Sequence, residues 1–136
     1  MTNLQILQNA LAAFGDPARR SQYLDIYAEG ATLHGYAGVG PGREGIRQFY
    51  ESFWSSFPDA RVELQEAIES GDRLIVRFEV AGTHQGDFLG VPATGKPIRT
   101  HGITILRFEN GKCCERWSAT DFLNVLVQIG AFGVSA

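Results

Sequence analysis

Apolar residues recur along the chain with two different periods, and the period changes near its middle. Leu4, Leu7, Leu11 and Phe14 stand at helical spacing behind Thr2-x-x-Gln5, a capping-box pattern. Gly15 closes this first helix. Asp16-Pro17 opens a second, with Asp as N-cap and Pro in the first turn; Tyr23, Leu24 and Tyr27 form its apolar stripe and Gly30 its stop. Residues 31–36 read as a short strand and 35–42 as a glycine-rich loop. A third helix over about 43–57 lines up Ile46, Phe49, Tyr50, Phe53 and Phe57, with Trp54 at the margin, and ends at Pro58.

After Pro58 the period shortens to two. Residues 60–69 alternate loosely, and Leu74, Val76, Phe78 and Val80 alternate cleanly with Ile75, Arg77, Glu79 and Ala81, as in a half-buried strand. Residues 82–97 are rich in Gly and Pro and read as a long loop. Two more strands, over 98–108 and 112–120, flank Asn110-Gly111, a strong hairpin signal, and 122–129 is a short apolar helix. Helices first and antiparallel strands after predict an α+β fold over a single domain, 1–136, with helices on one face of a curved sheet.

Composition removes several classes of function. With 44% hydrophobic and 20% charged residues the chain is an ordinary globular mix, and at a net charge of -3 it has no electrostatic reason to hold nucleic acid or an anionic membrane. No apolar run approaches the ~20 residues of a membrane span, and the N-terminus has no signal-peptide pattern. The two cysteines, Cys113 and Cys114, are adjacent and point to opposite faces of a strand, so no disulfide framework is expected and a cytoplasmic, reducing setting is.

Two glycine motifs do not hold up. Gly40-Pro41-Gly42-Arg43-Glu44-Gly45 satisfies G-x-G-x-x-G, but a dinucleotide site needs a βαβ unit and the strands that follow are hairpins. Gly90-Val-Pro-Ala-Thr-Gly95-Lys96 is nearly a P-loop, but Pro97 stands where a Ser or Thr should hold magnesium, and a strand follows where a helix is required. No cofactor is expected.

If Asn110-Gly111 is a two-residue turn, Glu109 faces Lys112, and an unbroken ladder sets Cys113 beside Phe108, Trp117 beside Thr104, Ala119 beside Gly102 and Asp121 beside Thr100. These share the more apolar face, while Arg99, Arg107 and Arg116 take the other with Ile103 and Ile105, a surface suited to a homodimer. Asp121 then projects inward, where lost hydration favours a base. It also immediately precedes an apolar helix, where Asp is a natural N-cap. His34, His84 and His101 have no local metal-ligand spacing, so a metal would need three strands to converge, and none is expected. Strand parity places His84 inward and His101 outward, unless a bulge near Gly102 reverses the latter.

The ordered set Phe57-Pro-Asp-Ala60, Gly82-Thr-His-Gln-Gly-Asp-Phe-Leu-Gly90, Ala93-Thr-Gly-Lys-Pro97, Arg107-Phe-Glu-Asn-Gly-Lys112, Glu115-x-Trp117-x-x-x-Asp121 and Gln128-x-Gly130 resembles the SnoaL-like polyketide cyclases of the nuclear transport factor 2-like superfamily. Gly42-Arg-Glu-Gly-Ile46 is similar to that family's third-helix start. Ala93 replaces a common Pro, and Cys113-Cys114 replace branched aliphatics. The resemblance implies a cone: a curved sheet wrapped on three N-terminal helices around a deep pocket. It implies Asp121 as the acid/base of an aldol-type ring closure, taking a proton flanked by carbonyls and returning it to the new alkoxide. His84, with His101 or Tyr36, would hydrogen-bond the oxyanion. Trp54, Phe57, Phe88 and Trp117 would wall a flat, polyketide-like ligand, with His34 beside them and the loop 86–96 as a lid. A non-catalytic binding module and a cofactor-free hydroxylase or hydrolase are the alternatives within the same fold.

Overall fold

The computed structural model describes residues 1–36 and 38–132; position 37, in the expected glycine-rich loop, and the last four positions lie outside the described residues. Helix α1 (Asn3–Phe14) starts at the capping box: Thr2 Oγ1 accepts from Gln5 N at 3.1 Å and Gln5 Oε1 from Thr2 N at 2.9 Å. Its apolar stripe buries Leu7, Ala10 and Phe14. Helix α2 (Gly42–Ser56) buries Ile46, Tyr50, Phe53 and Trp54, and the short α3 (Phe122–Gln128) closes the chain against β4.

The second expected α-helix is different. Asp16 Oδ1 accepts from Ala18 N at 3.0 Å in a local turn, and the chain then makes only a 3₁₀ helix, Arg20–Ile26. Strand β1 (Tyr27–His34) takes over where the helix was expected to continue. Gly30 therefore lies inside a strand. Parallel pairing of β1 with a later strand outweighs the N-terminal helix signal, a tertiary override of local preference.

Five strands form one open mixed sheet in the order β1-β5-β4-β3-β2, with β2 (Arg61–Ser70), β3 (Arg73–Thr83), β4 (Pro97–Glu109) and β5 (Lys112–Thr120). Only β1–β5 is parallel. The inner face carries Leu74, Val76, Phe78 and Val80 of β3 with Ile98, Leu106 and Phe108 of β4, packed with the helices into one core. Fully buried side chains such as Ile46, Leu74 and Leu106 contribute about 1.5–3 kcal/mol each relative to exposure. Among the described residues no helix is long and apolar enough to cross a membrane.

The β4–β5 hairpin departs from the expected register. Glu109↔Lys112 and Phe108↔Cys113 pair as predicted, but the next pair is Arg107↔Glu115. Cys114 is the extra residue of a β-bulge, its thiol donating to Arg107 O at 3.3 Å. Beyond it every side chain of β5 changes face. Trp117 now opposes Ile105 and Ala119 opposes Ile103, on the outer face, while Arg116 opposes Leu106 on the inner one. The expected inward Trp117 and Asp121 and outward Arg116 are thus reversed. The β3–β4 register runs unbroken through Gly102, so His101 stays outward.

A candidate small-molecule cavity floored by Arg116

Between the sheet and the helices lies a cavity of about 60 Å³. Phe14 of α1, Phe49, Tyr50 and Phe53 of α2, Val62 of β2, Phe78 and Val80 of β3 and Phe122 of α3 supply apolar walls; Tyr23, Tyr36, Arg116 and Thr120 supply polar ones. A wider groove of about 630 Å³ adjoins it, walled by Ser52, Ser56, Asp87, Phe88 and Leu89 among others. Tyr36, Phe49, Phe53 and Phe122 line both. A cavity of ~60 Å³ holds a few waters or a carboxylate-sized group, whereas an aromatic ring takes on the order of 150 Å³. The body of any larger ligand therefore belongs in the groove, with a small head at the floor.

Arg116 is the chemical centre of that floor. It is only 8% exposed. Its Nη1 donates to the phenol oxygens of Tyr27 at 2.7 Å, Tyr23 at 2.8 Å and Tyr50 at 3.2 Å, and its Nε to Thr104 Oγ1 at 2.9 Å. It forms no ion pair among the described residues; its neighbour Glu115 is on the outer face, paired with His34 and Arg107. Nη2 has no acceptor among the described residues. A buried charge with imperfect pairing costs several kcal/mol, so this group is held in place by the phenols rather than by a counter-charge.

Burial pulls the Arg116 pKa down and the surrounding phenol oxygens raise it by more, so the guanidinium remains charged. All four tyrosines of the chain, Tyr23, Tyr27, Tyr36 and Tyr50, gather here, and burial, only partly opposed by Arg116, raises each phenol above its ordinary value. They act as neutral hydroxyls. The proton of Tyr36 can be assigned from its neighbours. Thr104 donates to Trp117 O at 2.8 Å and Ser118 donates to Thr104 at 2.7 Å. Ser118 has no second proton, so at 2.8 Å it is Tyr36 that donates to Ser118 Oγ.

The other expected site residues fall into three places. Tyr36 lines the cavity and Phe88 the groove. Behind them Phe57 is fully buried against Phe53, Phe88 and His84, and Trp54 is packed among Phe14, Tyr23 and Tyr50 with its indole nitrogen unpartnered among the described residues. His84 is buried as parity predicts; Thr94 N donates to its Nδ1 at 3.2 Å, so the ring proton is on Nε2, which has no partner among the described residues. It belongs to neither the cavity nor the groove lining. On the outer face His34 stacks on Trp117 at 5.3 Å, with Arg73 over the indole at 5.1 Å.

Asp121 is exposed and caps α3, accepting from Asn124 N at 3.0 Å. With His101, Arg77 and Ile103 it lines a separate outer depression of about 480 Å³. Its neighbours in sequence, Thr120 and Phe122, both line the cavity. The three histidines are not brought together, and among the described residues no group of three potential ligands could hold a metal. The loop between β3 and β4 is fastened at its start, where Gln85 N and Gly86 N donate to Ser56 O at 2.9 and 3.1 Å, while its tip faces the groove. The G-x-G-x-x-G stretch is the tight turn into α2, where Gly45 lets the backbone of Gly40 come close.

Arg116 and its phenols were missed by the sequence reading because the unbroken ladder put Arg116 outside. A signal existed: buried tyrosine hydroxyls need partners, and Tyr23, Tyr27 and Tyr50 all sit at inward positions of their segments.

The sequence model of the SnoaL-like polyketide cyclase family matches residues 5–129. The chain belongs to this family. Its fold is the α+β fold of nuclear transport factor 2-like proteins. AclR from Streptomyces galilaeus, a candidate hydroxylase, has TM-score 0.82 at 25% identity over 96% of both chains. TsrD from Streptomyces laurentii has TM-score 0.82 at 28% identity, again over 96% of both. IdmH from Streptomyces antibioticus, a candidate polyketide cyclase, has TM-score 0.71 at 27% identity over 90% of this chain and 97% of its own. No curated protein sequence matches the chain.

Proposed function

We propose that this SnoaL-family protein is an enzyme that binds a small, hydrophobic carbonyl compound through the groove and cavity and performs polyketide-cyclase-type acid–base chemistry on it. The observation that carries the reading is a charged donor, Arg116, at the floor of a mostly apolar cavity. Such a group stabilises negative charge developing on a carbonyl oxygen in a water-poor site. Asp121 is the proposed proton carrier. The family resemblance supports it; its carboxylate caps α3 and lines the outer depression rather than the cavity, so the role rests on that resemblance alone.

Asp121→Asn is a clean test, because Asn caps a helix about as well as Asp while removing the base. Turnover of a β-keto ester panel should be lost with the melting temperature retained. Undiminished turnover would remove Asp121 from the chemistry. One observation favours a second reading, a non-catalytic binding module: among the described residues the cavity lining contains no carboxylate or imidazole. A ligand recovered chemically unchanged from the wild-type protein would select it.

The outer sheet face, where Ile103 is 55% exposed, is the proposed homodimer surface. A concentration-independent monomer in sedimentation would rule it out. A reducing, cytoplasmic setting is proposed in keeping with the free thiols of Cys113 and Cys114.

A further inference from the structure

We infer that the cavity floor is an anion site: the ligand presents a negatively charged oxygen pair, a carboxylate or the enolate of a 1,3-dicarbonyl, to Arg116, with Tyr36 alongside. The inference rests on the cavity being the ligand site, and it specifies what that ligand must carry.

The first ground is charge. Arg116 is nine-tenths buried, makes no ion pair among the described residues, and lines the cavity. Phenol and threonine oxygens take Nη1 and Nε but bring only partial charge. The second is donor capacity. Nη2 carries two N–H bonds that no described residue accepts, and these can each donate a charge-assisted bond to an oxygen of a small anion. The third is size: about 60 Å³ suits such a head and excludes a ring. The fourth is the absence of a competing acid, since the described lining of the cavity has no carboxylate to repel an anion or occupy Nη2.

Neutral oxygen ligands would leave the charge uncompensated. An anion compensates it, and hydrogen bonds to ionised groups are the stronger kind. Tyr36 completes the site on the groove side. Because its proton is committed to Ser118, it offers the ligand its ring edge and an acceptor oxygen, a geometry that tolerates a hydroxyl or enol beside the anion.

The test is calorimetric titration of the full chain with benzoate and with its neutral isostere benzamide, and, separately, ultraviolet absorption of acetylacetone with and without protein. Benzoate is expected to bind roughly tenfold or more tighter than benzamide. Alternatively, acetylacetone is expected to show its enolate band at a pH where the free compound is neutral. The first result identifies a carboxylate ligand and the second an enolate. Arg116→Lys, which keeps the charge but loses the separate Nη2 donors, should weaken the effect, and Arg116→Gln should abolish it. Should Arg116→Gln fail to fold, the benzoate-to-benzamide ratio of the wild type and of Arg116→Lys still decides. Equal affinity for benzoate and benzamide with no enolate band, or no binding of any of the three, overturns the inference. Neither readout involves turnover, so a failed cyclase assignment leaves this result standing on its own: Asp121→Asn should lose turnover while keeping the preference for benzoate.

Discussion

Arg116 Nη1 donates to the hydroxyl of Tyr27 at 2.7 Å, tying β5 to a residue 89 positions earlier in the chain. Tyr27 is fully buried and is not part of the cavity lining, whereas Tyr36 lines both cavity and groove. The two phenols therefore separate stability from binding. Tyr27→Phe removes an acceptor from a charged donor and should cost about 1.5–3 kcal/mol of stability with little change in ligand affinity. Tyr36→Phe removes a neutral bond to Ser118, which should cost about 0.5–1.5 kcal/mol; because the Tyr36 oxygen can only accept from a ligand, it should leave benzoate binding as it is and weaken binding of 3-hydroxybenzoate severalfold. Denaturant unfolding and calorimetry on the same two variants check the crossing of these effects.

Gly102 lies on β4 at the point where the cavity meets the sheet. A Cβ there would sit 2.4 Å from Cζ of Phe78 and 2.9 Å from Oγ1 of Thr120, and both residues line the cavity. The Phe78 ring can give way only by moving, and the open space beside it is the cavity. Gly102→Ala should therefore cost about 1–3 kcal/mol through overpacking and lower affinity for any ligand reaching the floor. A variant with wild-type melting temperature and wild-type binding would show that the ring relocates elsewhere.

The bulge at Cys114 leaves the two adjacent thiols in different environments. Cys113 is buried, and burial, partly offset by Arg116, pushes its thiol up to about 11. Near pH 8 only about one molecule in a thousand then carries the reactive thiolate. Cys114 is half-buried. A thiol titration with a disulfide reagent should count one reactive cysteine in the native protein and two after denaturation. Two fast-reacting thiols in the native state would contradict the placement of Cys113.

Much of the fold was legible because local patterns and tertiary packing agree. Helix α1 follows from its capping box and stripe, α2 from its aromatic side, and β3 from strict alternation. Asn110-Gly111 marks the hairpin, with Asn110 and Gly111 both at positive φ. The site was less legible, for one reason of geometry. Nothing in Lys112-Cys-Cys-Glu115 announces an extra residue, and a single bulge inverts the face of every later side chain. The bulge lets Cys113 and Arg116, three apart, both face inward, and lets Arg107 and Glu115 meet across the outer face at 3.2 Å. His84 and Phe57 survived as buried residues because neither depends on β5. Tyr27 was read as buried on a helix and is buried on a strand, since its inward direction suits both.

Asp59 carries a dependence of stability on pH. It stands just before β2 and accepts two hydrogen bonds from the end of β3, from Thr83 N and from Thr83 Oγ1, each at 2.7 Å. Burial raises its pKa, but the donations from Thr83 lower it by more, and the net lies below the ordinary 3.8. A carboxyl whose folded value is depressed contributes stability that is complete above the unfolded value and is lost as pH falls through the folded one. The Asp59 contribution should therefore be intact at neutral pH and decline below about pH 4. Asp59→Asn should be less stable than wild type at neutral pH, and the two melting curves should converge on acidification as the wild-type carboxylate takes up its proton. Melting temperatures measured across the acidic range would show this, and curves that stay parallel to the lowest pH would mean that the tie between Asp59 and Thr83 does not depend on charge.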